Sequence, residues 1–60
     1  MKQHFIIDGE VFTAKIWKDH EMFFAACPEL STAAEGKTIK MARKNLQETS
    51  RMFLDKPVKG

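Results

Sequence analysis

Apolar and polar residues alternate with a period of two through residues 4–18, the pattern of a half-buried strand. Phe12, Ala14 and Ile16 fall on one face, with Val11, Thr13, Lys15 and Trp17 on the other. Asp8-Gly9 interrupts the run and can be read in two ways. As a two-residue hairpin loop it folds Phe5–Ile7 back on Val11–Thr13. As a glycine bulge it bends one continuous strand. The pattern leaves both open. Lys18-Asp19-His20-Glu21 is polar between two apolar runs and marks a tight turn. Pairing Lys18 with Glu21 sets Ile16 opposite Phe23, Ala14 opposite Ala25 and Phe12 opposite Cys27. These six line one side of the sheet. Trp17, Met22, Phe24 and Ala26 then share the opposite side with Thr13 and Lys15, so the second main strand is apolar on both faces.

Pro28 cannot donate to a ladder and ends that strand. Leu30 to Ala34 is short and built largely from small residues, which predicts a third strand at an edge. Gly36 permits a turn, and Thr38 is a good N-cap. Beyond it Ile39, Ala42, Leu46, Thr49 and Phe53 recur every three or four residues, the stripe of an amphipathic helix. Met52 and Leu54 broaden the stripe near its end. A helix over residues 38–54 spans roughly 25 Å, enough to cross a three-stranded sheet. Pro57 blocks its continuation, and residues 55–60 are expected to fray. The reading is one domain over residues 1–60, with its core over about 4–54. Its class is α+β: a three-stranded antiparallel sheet, a fourth N-terminal strand left open, and one long helix on one face.

Length sharpens this picture. A chain of 60 residues buries only about 60% of its unfolded surface, and small domains usually need a staple. One cysteine excludes an intramolecular disulfide, and two histidines with that cysteine make a poor metal set. Association with another chain is the remaining support, as a homodimer or a higher homo-oligomer. Trp17, Met22 and Phe24 are then a patch for a partner, because a helix on one face cannot shield the other. The plainer reading is a central strand that is hydrophobic throughout. The longest apolar run, Met22 to Cys27, is far below the ~20 residues of a membrane span, and the start of the chain lacks a signal-peptide pattern. A free Cys27 suits a reducing compartment, so the cytoplasm is expected.

Candidate chemistry changes little. Gly36-Lys37-Thr38 resembles the tail of a phosphate-binding loop, but position 31, where the first glycine belongs, is Ser. His4, His20 and Cys27 lack the close-spaced pairs of a zinc site. Cys27 faces the core in the register above, which does not suit a nucleophile. The eight carboxylates (Asp8, Glu10, Asp19, Glu21, Glu29, Glu35, Glu48 and Asp55) fall at turns, strand ends and the helix surface. Neither a two-metal centre nor an acid–base pair can be drawn from them. No cofactor, no metal and no enzymatic activity are expected. On the helix, Lys40, Lys44 and Arg51 form a line with Arg43 beside it and Lys37 just before, opposed by Glu48. A solvated face is the ordinary meaning. Binding of phosphate backbone or an acidic protein is the alternative. The net charge of +2 does not by itself imply nucleic acid.

The order of residues resembles the HicB-like antitoxins over about residues 11–54. The likeness lies in Val11-Phe-Thr-Ala-Lys-Ile16, the turn at Lys18–Glu21 and Phe24-Ala-Ala-Cys-Pro-Glu-Leu30. It continues through Glu35-Gly-Lys-Thr38, Ala42, Asn45-Leu46 and Met52-Phe-Leu54. Its most specific part is Cys-Pro-Glu-Leu followed by Gly-Lys-Thr and a helix. The resemblance implies a truncated ribonuclease-H-like β-β-β-α unit without the nuclease acids, assembled into dimers or higher oligomers. It implies neutralisation of a small HicA-type toxin, an mRNA-cleaving ribonuclease with a double-stranded-RNA-binding-like fold, by occlusion of its active site. Many such proteins add a DNA-binding segment after the helix; the residues up to Gly60 leave no room for one, so operator binding is not expected. The chain departs from the family at Lys40-Met41, where acids are usual, and at Arg43 and Ser50, where apolar residues are usual. Two other roles stay in view: a solitary oligomeric protein of this kind, and a small nucleic-acid-binding module using Lys37, Lys40, Arg43, Lys44 and Arg51.

Overall fold

In the computed structural model, which describes residues 1–55, β1 (Lys2–Ile7), β2 (Glu10–Asp19), β3 (Met22–Cys27) and β4 (Thr32–Gly36) precede α1 (Ile39–Leu54). The strands form one antiparallel sheet in the order β1-β2-β3-β4. The alternative left open at Asp8-Gly9 resolves as a hairpin. Both loop residues have positive φ, 51° and 82°, the geometry that Asp-Gly supplies to a two-residue turn. Ile7 pairs with Glu10, Ile6 with Val11 and Phe5 with Phe12, and the two phenylalanine rings stack 5.7 Å apart.

The β2–β3 register differs from the sequence expectation by two residues. Asp19 pairs with Met22, Trp17 with Phe24 and Ile16 with Ala25; Lys18 does not pair with Glu21. His20 opens the loop at φ 58°, lengthening β2 by one residue. The observed register stacks Trp17 on Phe24, ring centroids 5.8 Å apart; the expected one paired Trp17 with Met22 and Lys15 with Phe24. An aromatic cross-strand pair is the stronger contact. A slip of two preserves the face of every side chain, whereas a slip of one inverts them all. Phe12, Ala14, Ile16, Ala25 and Cys27 therefore still face the helix and are buried, and Phe23 packs at their margin. Lys18 lies over the Phe23 ring at 5.7 Å.

The third strand of the sequence reading, placed at Leu30–Ala34, begins later, at Thr32. Residues 28–31 form the connection instead. The Leu30 amide donates to the Cys27 carbonyl at 3.3 Å around Pro28, which favours the second position of such a turn. Ser31 takes φ 55° before the chain re-enters the sheet, with Thr32 opposite Cys27.

The helix starts where its cap predicts. The Met41 amide donates to Thr38 Oγ1 at 3.0 Å. Gly36 proves to be less a turn residue than a spacer: it is the buried last residue of β4, and a Cβ there would lie 2.6 Å from the Ala42 nitrogen. The first turn of α1 rests directly on the strand. Ala42, Leu46 and Ser50 are the buried helix residues, with Ile39 packed against the core. The expected stripe is thereby corrected at its C-terminal half. Thr49 and Phe53 are exposed, and Ser50 takes the inward position, its hydroxyl 2.7 Å from that of Thr32. Phe53 follows the line of Ala42, Leu46 and Ser50, yet remains 54% exposed.

Side chains four apart on α1 follow β1 in order. Arg43 donates to the Gln3 side chain at 3.2 Å and Gln47 to the Ile6 carbonyl at 3.1 Å. Arg51 stands 3.7 Å from Asp8. On the other flank Asn45 donates to the Glu35 carbonyl of β4 at 2.8 Å. In an antiparallel ladder, residues alternate between those bonded to the neighbouring strand and those pointing away. Ile6 and Glu35 belong to the outward sets, so the helix occupies one outward carbonyl on each free edge. Asp55 caps the helix, its amide donating to the Arg51 carbonyl. The rest of the expected frayed tail lies outside the described residues. Among these, no helix is long and apolar enough to cross a membrane.

Candidate protein-binding face

With α1 on one side of the sheet, alternation delivers the other side to solvent. Trp17, Met22 and Phe24, chosen from the sequence, meet there. Trp17 and Phe24 are directly paired, and Met22 sits one row further, opposite Asp19. Trp17 is 49% exposed, while Met22 and Phe24 are half-buried. Lys15 lies beside them opposite Ala26, and Ala26 lies opposite Ala33. Lys2 pairs with Lys15 at the β1 edge, and Glu35 pairs with Phe24 at the β4 edge. The face is therefore an aromatic row beside a row of lysines and alanines, with a carboxylate at one margin.

Ile6 and Val11, paired across the first hairpin, are 58% and 62% exposed and extend the apolar surface at its far end. The sequence reading did not count them as site residues. The signal was available in the hairpin alternative at Asp8-Gly9, which puts Ile6 on the same face as Val11.

A carboxylate completes the sheet where β3 stops. β2 runs on past its pairing with β3, and Pro28 brings no amide to continue the ladder. Both Glu29 carboxylate oxygens accept from the Thr13 amide, at 3.1 and 3.2 Å, and the Thr13 hydroxyl donates to one of them at 2.8 Å. The Thr13 side-chain bond, with help from backbone amides, lowers the Glu29 carboxyl to about 2. The Cys27 thiol points at the same carboxylate, 3.4 Å away. Burial pushes the Cys27 thiol up, and the nearby Glu29 charge adds to this. Cys27 is a buried member of the core, the place expected for it.

The other candidate groups do not converge. His4 is on β1 opposite Thr13, and His20 is in the β2–β3 loop, 2.8 Å from Asp19. Among the described residues no three His, Cys, Asp or Glu side chains are placed to hold a metal ion. The five basic residues divide. Lys37, Lys40 and Lys44 are exposed, whereas Arg43 is turned to Gln3 and Arg51 to Asp8 and Asp55. Lys44, Gln47, Glu48 and Arg51 line a shallow depression of about 260 Å³. Its acid and the two ion pairs of Arg51 weaken it as a phosphate track. Compared with known protein families, curated proteins and solved structures, the chain matches none.

Proposed function

We propose that this chain is a non-catalytic, protein-binding domain of the HicB-like antitoxin kind, acting in the cytoplasm as a homodimer or higher oligomer. Its partner in this reading is a small HicA-type mRNA-cleaving toxin, whose active site it occludes. The observation that carries the reading is the outer sheet face. Trp17, 49% exposed, is stacked on a half-buried Phe24 on the side of the sheet away from α1, and an exposed apolar patch of that kind marks a surface for protein.

The test is genetic and simple. Any short basic reading frame found beside this gene is expressed alone and together with the chain. Expected are growth arrest by the neighbour, relief by the wild-type chain, and loss of relief with Phe24→Asp. A neighbour that causes no arrest, or relief that Phe24→Asp leaves intact, overturns the reading. The nucleic-acid alternative, through Lys37, Lys40, Arg43, Lys44 and Arg51, predicts RNA affinity that falls steeply with salt. It is the weaker of the two, because both arginines are already engaged within the fold.

A further inference from the structure

We infer that the free edge of β1 is a docking site for an extended acidic segment of another protein, which adds there as a further antiparallel strand. This goes beyond the reading above. The surface is an edge of the sheet rather than its outer face, and the partner's chemistry is different.

β1 is a terminal strand of the sheet, so one of its sides has no neighbour. The phase of its hydrogen bonds decides which groups it shows there. The Asp8-Gly9 hairpin makes Ile7 and Glu10 a bonded pair. At the other end the Ile16 amide donates to the Met1 carbonyl at 2.7 Å, and the Met1 amine donates back to the Ile16 carbonyl at 2.8 Å. The odd-numbered residues of β1 are thus engaged with β2, and Lys2, His4 and Ile6 turn their amides and carbonyls outward. Gln47 takes the Ile6 carbonyl. Among the described residues no other hydrogen bond reaches this row. The amides of Lys2, His4 and Ile6 and the carbonyls of Lys2 and His4 stay open, a template for strand addition. The β4 edge is poorer. Its strand is only Thr32–Gly36, Asn45 holds the Glu35 carbonyl, and Glu35 puts an acid there.

Charge selects the occupant. No acid occurs from Lys2 to Ile7. Lys2 pairs with Lys15, and Arg43 reaches over the same end of the strand to Gln3; all three basic residues are exposed. Asp8, at the hairpin end, is faced by Arg51. Two copies of this edge would bring like charges together, which is how lysines on an edge strand oppose self-pairing. A strand bearing carboxylates meets no such barrier. Directly opposite residues share a face about 5 Å apart, so acids opposite Lys2 and His4 fall beside Lys2 and Lys15. Ile6, 58% exposed, suits an apolar residue at the next outward position. A nucleic-acid backbone could accept from the open amides, but its phosphates have nothing to donate to the carbonyls of Lys2 and His4. A peptide satisfies both.

The test is fluorescence anisotropy of a labelled, end-capped peptide, Val-Thr-Glu-Thr-Glu-Thr, titrated with the full chain, with circular dichroism confirming that each variant is folded. The wild type is expected to bind it saturably. N-methylation of the glutamate amides, which would point at β1, should abolish binding; N-methylation of the threonine amides, which would point away, should preserve it. His4→Pro removes an outward amide without touching the β1–β2 ladder and should weaken binding at least tenfold. Lys2→Glu with Arg43→Glu should do the same, and that double variant should bind the peptide carrying lysine in place of glutamate. Phe24→Asp should change nothing, which separates this site from the outer face. No binding up to millimolar concentration, equal binding of the two N-methylated peptides, or wild-type affinity in His4→Pro overturns the inference. So does a uridine oligonucleotide that binds this edge in preference to the peptide. Peptide binding without relief of growth arrest sinks the functional reading alone, and relief without peptide binding sinks only the edge site.

Discussion

Gly36→Ala tests the central packing claim, that α1 lies on β4 without room for a side chain. The added methyl would fall 2.6 Å from the Ala42 nitrogen, 2.8 Å from the Met41 carbonyl carbon and 2.9 Å from Met41 Cβ. Ordinary contact begins near 3.4 Å, so the closest approach is short by about 0.8 Å. Two of the three atoms are main chain in the first turn of a helix held by its Thr38 cap, so no side-chain rotation relieves the overlap. Overpacking of this kind costs typically 1–3 kcal/mol, with rigid backbone at the upper end. Against that, alanine restricts the unfolded chain and returns about 0.4–1 kcal/mol. The net expectation is a loss of about 2 kcal/mol. Total stability for a domain of this size is of order 3–9 kcal/mol, so the loss is a substantial fraction. It corresponds to a fall in melting temperature of about 8–16 °C. The assay is urea unfolding followed by circular dichroism and Trp17 fluorescence, at one protein concentration because association shifts apparent stability. Gly9→Ala supplies the contrast. Gly9 has φ 82° and open space around it, so only left-handed backbone strain of about 1–2 kcal/mol applies there. Adding Ala42→Gly to Gly36→Ala should recover nothing, since the clash is with the nitrogen and not the side chain. A Gly36→Ala protein as stable as the wild type would refute the reasoning.

Acid should act through Glu29. Its folded carboxyl is lowered to about 2 from an ordinary 4.5, so its stabilising effect is complete above about 4.5 and disappears as pH falls toward 2. Urea midpoints measured at pH 7, 4.5, 3 and 2 should drop across that window, and Glu29→Gln should flatten the drop; an unchanged profile in the variant would exclude the Thr13–Glu29 clamp as its source. Ser50→Ala should cost about 1 kcal/mol by removing the partner of the Thr32 hydroxyl. Thr32→Val combined with it should cost less than the two single changes added together, and strict additivity in denaturation would show that the hydroxyls are not coupled. Leu46→Ala empties the centre of the core, where the side chain is fully buried, and should cost about 2–5 kcal/mol. Calorimetry should find it barely folded, and a native-like melting curve would contradict the placement of the core.

Alternation alone decided which side chains of β2 and β3 turn inward, because parity along a strand survives any slip of two. The cap at Thr38 and the buried course of Ile39, Ala42 and Leu46 were equally legible, since both depend on residues within a turn or two of one another. Trp17, Met22 and Phe24 could be assigned to one face for the same reason. What the tertiary structure decided were the matters in which distant residues compete. The stacking of Trp17 on Phe24 set a register that the polar turn could not specify. The hairpin at Asp8-Gly9 became definite only when Phe5 found Phe12, and this brought Ile6 beside Val11. Ser50 took the inward place expected of Thr49 because its hydroxyl meets that of Thr32, and Phe53, though on the same line, stays exposed. Glu29 became part of the sheet because Pro28 left the Thr13 amide without a ladder partner. Local periodicity records which way a side chain points; which partner it meets depends on how far each strand runs and on which pairing buries more.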